Sequence, residues 1–289
     1  MKKARIIAIV SNRCTLLLED GSRQIGTLMG KLRKDKAPVV GDIVEIEFLE
    51  DKVAIQRILP RVNELRRPLI ANVDQAIIVM SMKEPDYSSV LLDRLIFQVC
   101  YAKIKPVICF TKMDLLNENE QHLIDEIQAY KDAGYEVYTT SQNEEPKALV
   151  EALKNKISVL TGQSGAGKSS LLNRINPDFQ LQTQVISKAL GRGKHTTRHC
   201  ELHQVGEGWV ADTPGFSSLD FNHMEIITLA NVIPDFQPYL NQCRFNDCTH
   251  LHEPGCAIIE AKQQQQLNQA RYEHYVDIAN MIKNRKPRY

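Results

Sequence analysis

Residues 162–169 read Gly-Gln-Ser-Gly-Ala-Gly-Lys-Ser, the spacing G-x-x-x-x-G-K-[ST] by which a loop cradles phosphates. Glycines let consecutive backbone N–H groups turn inward around a polyanion, and the N-terminus of a following helix adds a favourable dipole. Gly162, Gln163, Ser164, Gly165, Ala166, Gly167, Lys168, Ser169 and Ser170 are therefore expected to hold a nucleoside triphosphate. Lys168 should reach the β and γ phosphates, and Ser169 should offer its hydroxyl to Mg²⁺. Further along, Asp212-Thr213-Pro214-Gly215 ends the apolar run Gly208–Ala211. A carboxylate at a strand end suits Mg²⁺, and the N–H of Gly215 suits the γ-phosphate. Between these motifs lies Gly191-Arg192-Gly193-Lys194-His195-Thr196-Thr197-Arg198, a polar stretch able to order around a γ-phosphate and Mg²⁺. Thr197 is the threonine expected to complete the Mg²⁺ shell.

Which nucleotide is bound depends on a third motif. Thr111-Lys112-Met113-Asp114 follows the apolar run Val107–Phe110 and resembles the N/T-K-x-D base-recognition motif of GTPases. The Asp114 carboxylate can accept hydrogen bonds from both N1–H and N2–H₂ of guanine, a donor pair that adenine lacks. The Lys112 stem can pack on the purine face. Thr111 stands where many GTPases carry Asn, and Ser141, after Val137–Thr139, offers a second contact to the base. Many GTPases orient the attacking water with a Gln after the D-x-x-G glycine. Phe216 occupies that position, so slow intrinsic turnover is expected, with a polar group supplied from elsewhere. His195, His199 and His203 are candidates, and His203 is the one chosen.

A metal site is written into Cys243-x₄-Cys248-x-His250-x₅-Cys256, three thiols and an imidazole within fourteen residues. That is the Cys₃His set of a closed structural Zn²⁺ site, with no open position for catalysis. His252 competes with His250 for the fourth place. Cys14, Cys100, Cys109 and Cys200 are scattered and read as packing residues.

These residues need elements to position them. The 289 residues suffice for about two or three domains. With 43% hydrophobic and 25% charged residues the composition is that of a folded globular chain. No apolar run approaches the ~20 residues of a membrane span, and Ile6–Val10 is too short for a secretory core. A cytoplasmic address and no membrane partner are expected. Short strands at Arg5–Val10, Cys14–Leu18, Arg23–Thr27, Asp42–Phe48 and Val53–Leu59, separated by turn signals, suit a small closed barrel, OB-like or SH3-like. Pro60 to Pro68 reads as a linker. Apolar strands then alternate with helical stretches, the pattern of a mainly parallel sheet covered on both faces. The predicted order is strand Asp74–Met80, helix Val90–Ala102, strand Val107–Phe110, helix Asn117–Ala133, strand Val137–Thr139, helix Pro146–Leu153 and strand Ile157–Leu160. From Lys262 a single helix to about Met281 is predicted, with a basic tail. Net charge is +1 but unevenly spread. Residues 1–36 carry nine Lys/Arg against three Asp/Glu, with a basic stretch at Lys31–Lys36, and residues 262–289 carry six against two. Two basic ends suit a polyanionic partner.

The motif order is unusual: base motif, base-side loop, phosphate loop, threonine segment, then Asp212–Gly215, a circular permutation of the usual GTPase order. Barrel, permuted G domain and Cys/His knot together resemble the ribosome small subunit-dependent GTPase A (RsgA) family over nearly the whole chain. The resemblance implies three parts: an OB-fold barrel over 1–63, a circularly permuted α/β P-loop GTPase domain over 64–222, and an α-helical, irregular zinc-binding domain over 223–289. It implies His250 rather than His252 as the zinc ligand. It implies a cytoplasmic GTPase that converts GTP to GDP, binds the 30S ribosomal subunit and its rRNA late in maturation, and is stimulated by the subunit. A monomer is expected. Because the chain leaves the G domain just after Gly215, the C-terminal domain is expected to be tethered to the segment that senses the γ-phosphate. A P-loop ATPase or kinase acting on a small molecule is the alternative reading, and a nucleic-acid binder with a vestigial P-loop a third.

Overall fold

Five strands open the chain: β1 (Lys2–Val10), β2 (Arg13–Leu18), β3 (Arg23–Leu28), β4 (Ile43–Leu49) and β5 (Lys52–Ile58). β1 pairs with β2, β2 with β3, β3 with β5, β5 with β4, and β4 with β1 again. These pairings close a five-stranded barrel. Alternating inward residues, among them Ile6, Cys14, Leu16, Val44, Ile46 and Ile55, fill its interior. In this computed structural model the described residues are 2–29, 37–50, 52–66, 69–176, 200–212 and 220–285, with the backbone alone for Arg66 and Asp212.

The expected linker after Pro60 is instead pinned to the barrel. Arg61 forks onto both oxygens of Asp42 at 2.6 and 2.8 Å, both side chains are buried, and Arg61 also bonds Glu64. Asn63 and Val73 exchange two hydrogen bonds at 2.8 and 2.9 Å, across the hairpin of β6 (Glu64–Arg66) and β7 (Leu69–Ala71). A buried carboxylate is costly unless paired, so Arg61 fixes what proline and charge alone would leave loose.

The rest of the chain continues with β8 (Gln75–Ser81), α1 (Ser89–Tyr101), β9 (Lys105–Thr111), α2 (Gln121–Asp132) and β10 (Glu136–Thr140). There follow α3 (Lys147–Leu153), β11 (Ile157–Gly162), α4 (Lys168–Ile175), β12 (Glu201–Val205) and β13 (Gly208–Asp212). The C-terminal region holds α5 (Ile226–Ala230), α6 (Ala257–Gln263) and α7 (Gln269–Lys283).

The chain forms two compact units. The first comprises Met1–Ala76, Glu145–Thr161 and Lys168–Phe216. In it β13 pairs with β11 in parallel and with β12 antiparallel, and β12 meets the barrel strand β1 at Ala8 opposite Glu201. The second comprises Ile77–Glu144, Gly162–Gly167 and Ser217–Tyr289. Its sheet runs β8-β9-β10, with β9 and β10 parallel. Every residue of β8 is buried, as a strand covered on both faces requires.

The C-terminal region packs within the second unit through α7 on α1. At the centre is Arg271, 3% exposed, with Asp93 of α1 at 3.4 Å and Asp235 as its closer partner. Tyr130 donates to Asp93 at 2.7 Å, Tyr135 to Asp235 at 2.5 Å, and His274 Nδ1 lies 2.6 Å from Asp93. The guanidinium also stands over the Tyr130 ring at 4.2 Å and the Tyr135 ring at 5.2 Å. The single helix predicted from Lys262 is two helices, α6 and α7. Gln265 takes a left-handed φ of 58° that stops α6, and Asn268 accepts from Arg271 N at 3.0 Å to start α7. Among the described residues no helix is long and apolar enough to cross a membrane.

Candidate nucleotide and metal sites

The base motif leaves β9 at Thr111, which is in register with Thr140, the last residue of parallel β10. Loops 112–116 and 141–146 therefore leave the same carboxyl edge of the sheet, where α/β folds place their ligands. Asp114 Oδ1 accepts the Gln142 N–H at 2.9 Å, so the Ser141 loop and the base motif are joined directly. Lys112 adopts a left-handed φ of 60°, ahead of the turn Met113–Leu115.

Thr111 is buried, and its hydroxyl donates to the Ala166 carbonyl at 2.7 Å. Ala166 lies inside the phosphate loop, so the two motifs touch. The loop itself is shaped by backbone crowding. Gly162 has φ +129°, and a Cβ there would fall 1.9 Å from the Val79 carbonyl oxygen of β8. Only glycine lets the chain pass so close. Gln163 N then donates to that same Val79 oxygen at 3.2 Å, and Ala166 N to Gln163 O at 3.3 Å.

In the first unit, Lys168 and Ser169 open α4. Burial pushes the Lys168 ammonium below its usual pKa, as expected of a cation partly withdrawn from water. Ala211 of β13 is the partner of Val159 in β11, so Asp212 comes at the carboxyl end of the strand beside the one that feeds the phosphate loop. His203 of β12 lies opposite Val210 and is 5% exposed. It shares a strand face with Glu201, the partner of Asp212. Lys31–Lys36, Gly191–Arg198 with His195 and Thr197, His199, Gly215 and Phe216 lie outside the described residues.

Cys243, Cys248, His250 and Cys256 bring their ligand atoms within 4.8 Å of one another. His250 Nδ1 is 3.5 Å from Cys243 Sγ and 3.3 Å from Cys256 Sγ, and those two sulfurs are 3.9 Å apart. A tetrahedral site with bonds of ~2.0–2.3 Å has edges of ~3.3–3.8 Å, so the donor set fits one metal ion. The surrounding bonds fix the ligand loop. Tyr272 donates to His250 O at 2.8 Å and Tyr275 to Thr249 O at 2.5 Å. Glu253 accepts the N–H groups of Thr249, Leu251 and His252 at 2.8, 2.9 and 3.0 Å. His252 is exposed and outside the cluster.

Two features escaped the sequence reading. The Gln142 amide had no signal, because a backbone donor leaves none. The segment between β8 and α1, Lys83-Glu84-Pro85-Asp86, is a turn signal that no nucleotide motif contains.

A family model described as RsgA GTPase matches residues 58–222. The chain is 46% identical over 268 residues to the small ribosomal subunit biogenesis GTPase RsgA of Bacillus subtilis, covering 90% of this chain and 89% of the relative. The protein so named in Bacillus cytotoxicus is 44% identical over all of both chains. Among solved structures, YloQ, described as a circularly permuted GTPase, matches with a TM-score of 0.84 at 40% identity, covering 100% of this chain and 97% of that one. YjeQ from Thermotoga maritima matches with a TM-score of 0.84 at 33% identity, covering 99% of each.

Proposed function

Since the chain belongs to the RsgA GTPase family, we propose that it hydrolyses GTP to GDP and phosphate while bound to the small ribosomal subunit, assisting that subunit's late maturation. The bond from Thr111 to Ala166 carries the nucleotide part of this reading. It joins the Thr111–Asp114 motif to the Gly162–Ser169 loop, which supports one nucleotide reaching both. An ATPase or kinase has no use for Asp114 in that place. The names of the relatives support the ribosomal part, and the basic N-terminal segment and tail suit rRNA phosphates.

In this reading Asp114 binds the guanine edge, Lys112 the purine face, and Ser141 lies beside the base. The backbone N–H groups of Gly162–Ser170 and the Lys168 ammonium grip the phosphates. Ser169, Asp212 and Thr197 would hold Mg²⁺, which neutralises charge on the β and γ oxygens when bound with GTP. A hydroxyl opening a helix and an aspartate closing the strand beside β11 are the oxygen donors that this cation prefers. Gly215 N–H meets the γ-phosphate, and His203 orients the attacking water. His203→Ala should remove the subunit-stimulated rate, and an unchanged rate would remove His203 from the mechanism. Cys243, Cys248, His250 and Cys256 would hold a single structural Zn²⁺. The protein acts in the cytoplasm as a monomer. Displacement of bound GDP by GTP but not by ATP tests the nucleotide assignment, and equal displacement by both contradicts it.

A further inference from the structure

The segment Met82–Ser88, Met-Lys-Glu-Pro-Asp-Tyr-Ser, joins β8 to α1 and touches two nucleotide motifs at once. The Lys112 ammonium donates to the Glu84 carbonyl oxygen. Gln163 Nε2 donates to the Asp86 carbonyl oxygen at 2.8 Å. The Pro85 ring lies against the phosphate loop, where a Cβ on Gly165 would come within 3.3 Å of Pro85 Cδ. The segment is itself held along its length. Met82 N donates to Thr111 O at 3.2 Å, Lys83 pairs with Glu120 at 2.7 Å, and the Tyr87 ring meets Phe110 edge-on at 5.9 Å.

The consequence concerns Lys112. A lysine that packs on a ligand loses rotamer freedom. Here the four-carbon stem is fixed at both ends before any base arrives, by its own backbone and by the Glu84 carbonyl. Such preorganisation favours binding. Glu84 and Lys112 both have positive φ, 53° and 60°, a conformation that residues with side chains adopt rarely and that surrounding contacts must maintain.

We propose that Met82–Ser88 is a positioning element of the guanine site. The Glu84 carbonyl stretches the Lys112 stem into a platform for the purine, and the Asp86 carbonyl, through Gln163, keeps the phosphate loop in the same frame. The carbonyls do this, not the exposed carboxylates of Glu84 and Asp86. The inference rests on the nucleotide-site reading given above.

The test is equilibrium binding of a fluorescent GDP analogue to the full chain. Pro85→Gly frees the backbone that presents the Glu84 carbonyl, and Lys112→Met removes the donor. Each should raise the Kd about tenfold. If they act through one contact, the double variant should bind within about twofold of Lys112→Met alone. Lys112→Arg, which still donates, should keep most of the affinity. Additive losses in the double variant, or an unchanged Kd in folded Pro85→Gly, overturn the proposal. Should Pro85→Gly not fold, equal losses in Lys112→Arg and Lys112→Met overturn it, and retention in Lys112→Arg supports it. Failure of the wild-type chain to bind the analogue would overturn the nucleotide site itself, a result distinct from any of these.

Discussion

The Thr111 hydroxyl donates to the Ala166 carbonyl at 2.7 Å, linking the Thr111–Asp114 motif to the Gly162–Ser169 loop, with the two partners 55 residues apart along the chain. Where many GTPases carry Asn, threonine supplies the donor with a shorter side chain. The bond is buried, so its loss leaves a carbonyl without that partner at a cost of ~1–3 kcal/mol. Thr111→Val keeps the shape and removes the donor. GDP affinity measured by titration should fall about tenfold, and Thr111→Ser should retain it. Equal affinity for the Val variant would show that the contact does not organise the site.

Asp114 offers a change of specificity. Its carboxylate suits the two donors of guanine, whereas xanthine presents a carbonyl in place of N2–H₂. Asp114→Asn places an amide donor there, and its oxygen can still accept the Gln142 N–H now found at 2.9 Å. GTP affinity should drop about a hundredfold, with XTP binding gained. Unchanged preference in competition binding would move the base elsewhere.

The Cys/His cluster should carry one zinc per chain by elemental analysis. Because four protein donors would close the site, a bound metal should contribute to folding rather than to hydrolysis. Cys256→Ser should release it and lower the melting temperature. A metal-free wild-type preparation with the same melting temperature would contradict a structural role.

Arg271 sits between Asp93 and Asp235, all three nearly sealed from water. Burial alone would push its pKa down, but Asp235 and the neighbouring groups outweigh that and hold it above the usual value. Arg271→Met leaves two carboxylates without their cation, at a cost of about 3–5 kcal/mol in chemical denaturation. Hydrogen exchange in α1 and α7 should rise together. A C-terminal domain held only by its covalent tether to the 213–219 segment would instead leave α1 unaffected by the substitution. The buried cluster fastens α7 to α1 within the second unit.

Much of this was readable from residue order. The barrel strands and the parallel αβ layers follow from alternation and continuous apolar runs, because a pleated strand and a doubly covered strand leave opposite sequence patterns. The Cys/His spacing points to the metal cluster because ligand chemistry is local. What escaped depends on distant partners. Arg61 looks like part of a charged linker until Asp42 is found beneath it. Arg271 reads as one more polar residue of a helix, since nothing nearby in sequence announces Asp93 or Asp235. The break between α6 and α7 turns on a left-handed Gln265, a conformation that glutamine seldom signals.

The central claim is that a permuted guanine-nucleotide site is switched on by the small ribosomal subunit. Its most direct test is GTP turnover by the full chain alone, with purified 30S subunits and with purified 50S subunits, beside Lys168→Ala. The account predicts slow turnover alone, a rise of at least about tenfold with 30S only, and loss of that rise in Lys168→Ala. Equal rates under all three conditions, or full activity in Lys168→Ala, would contradict it.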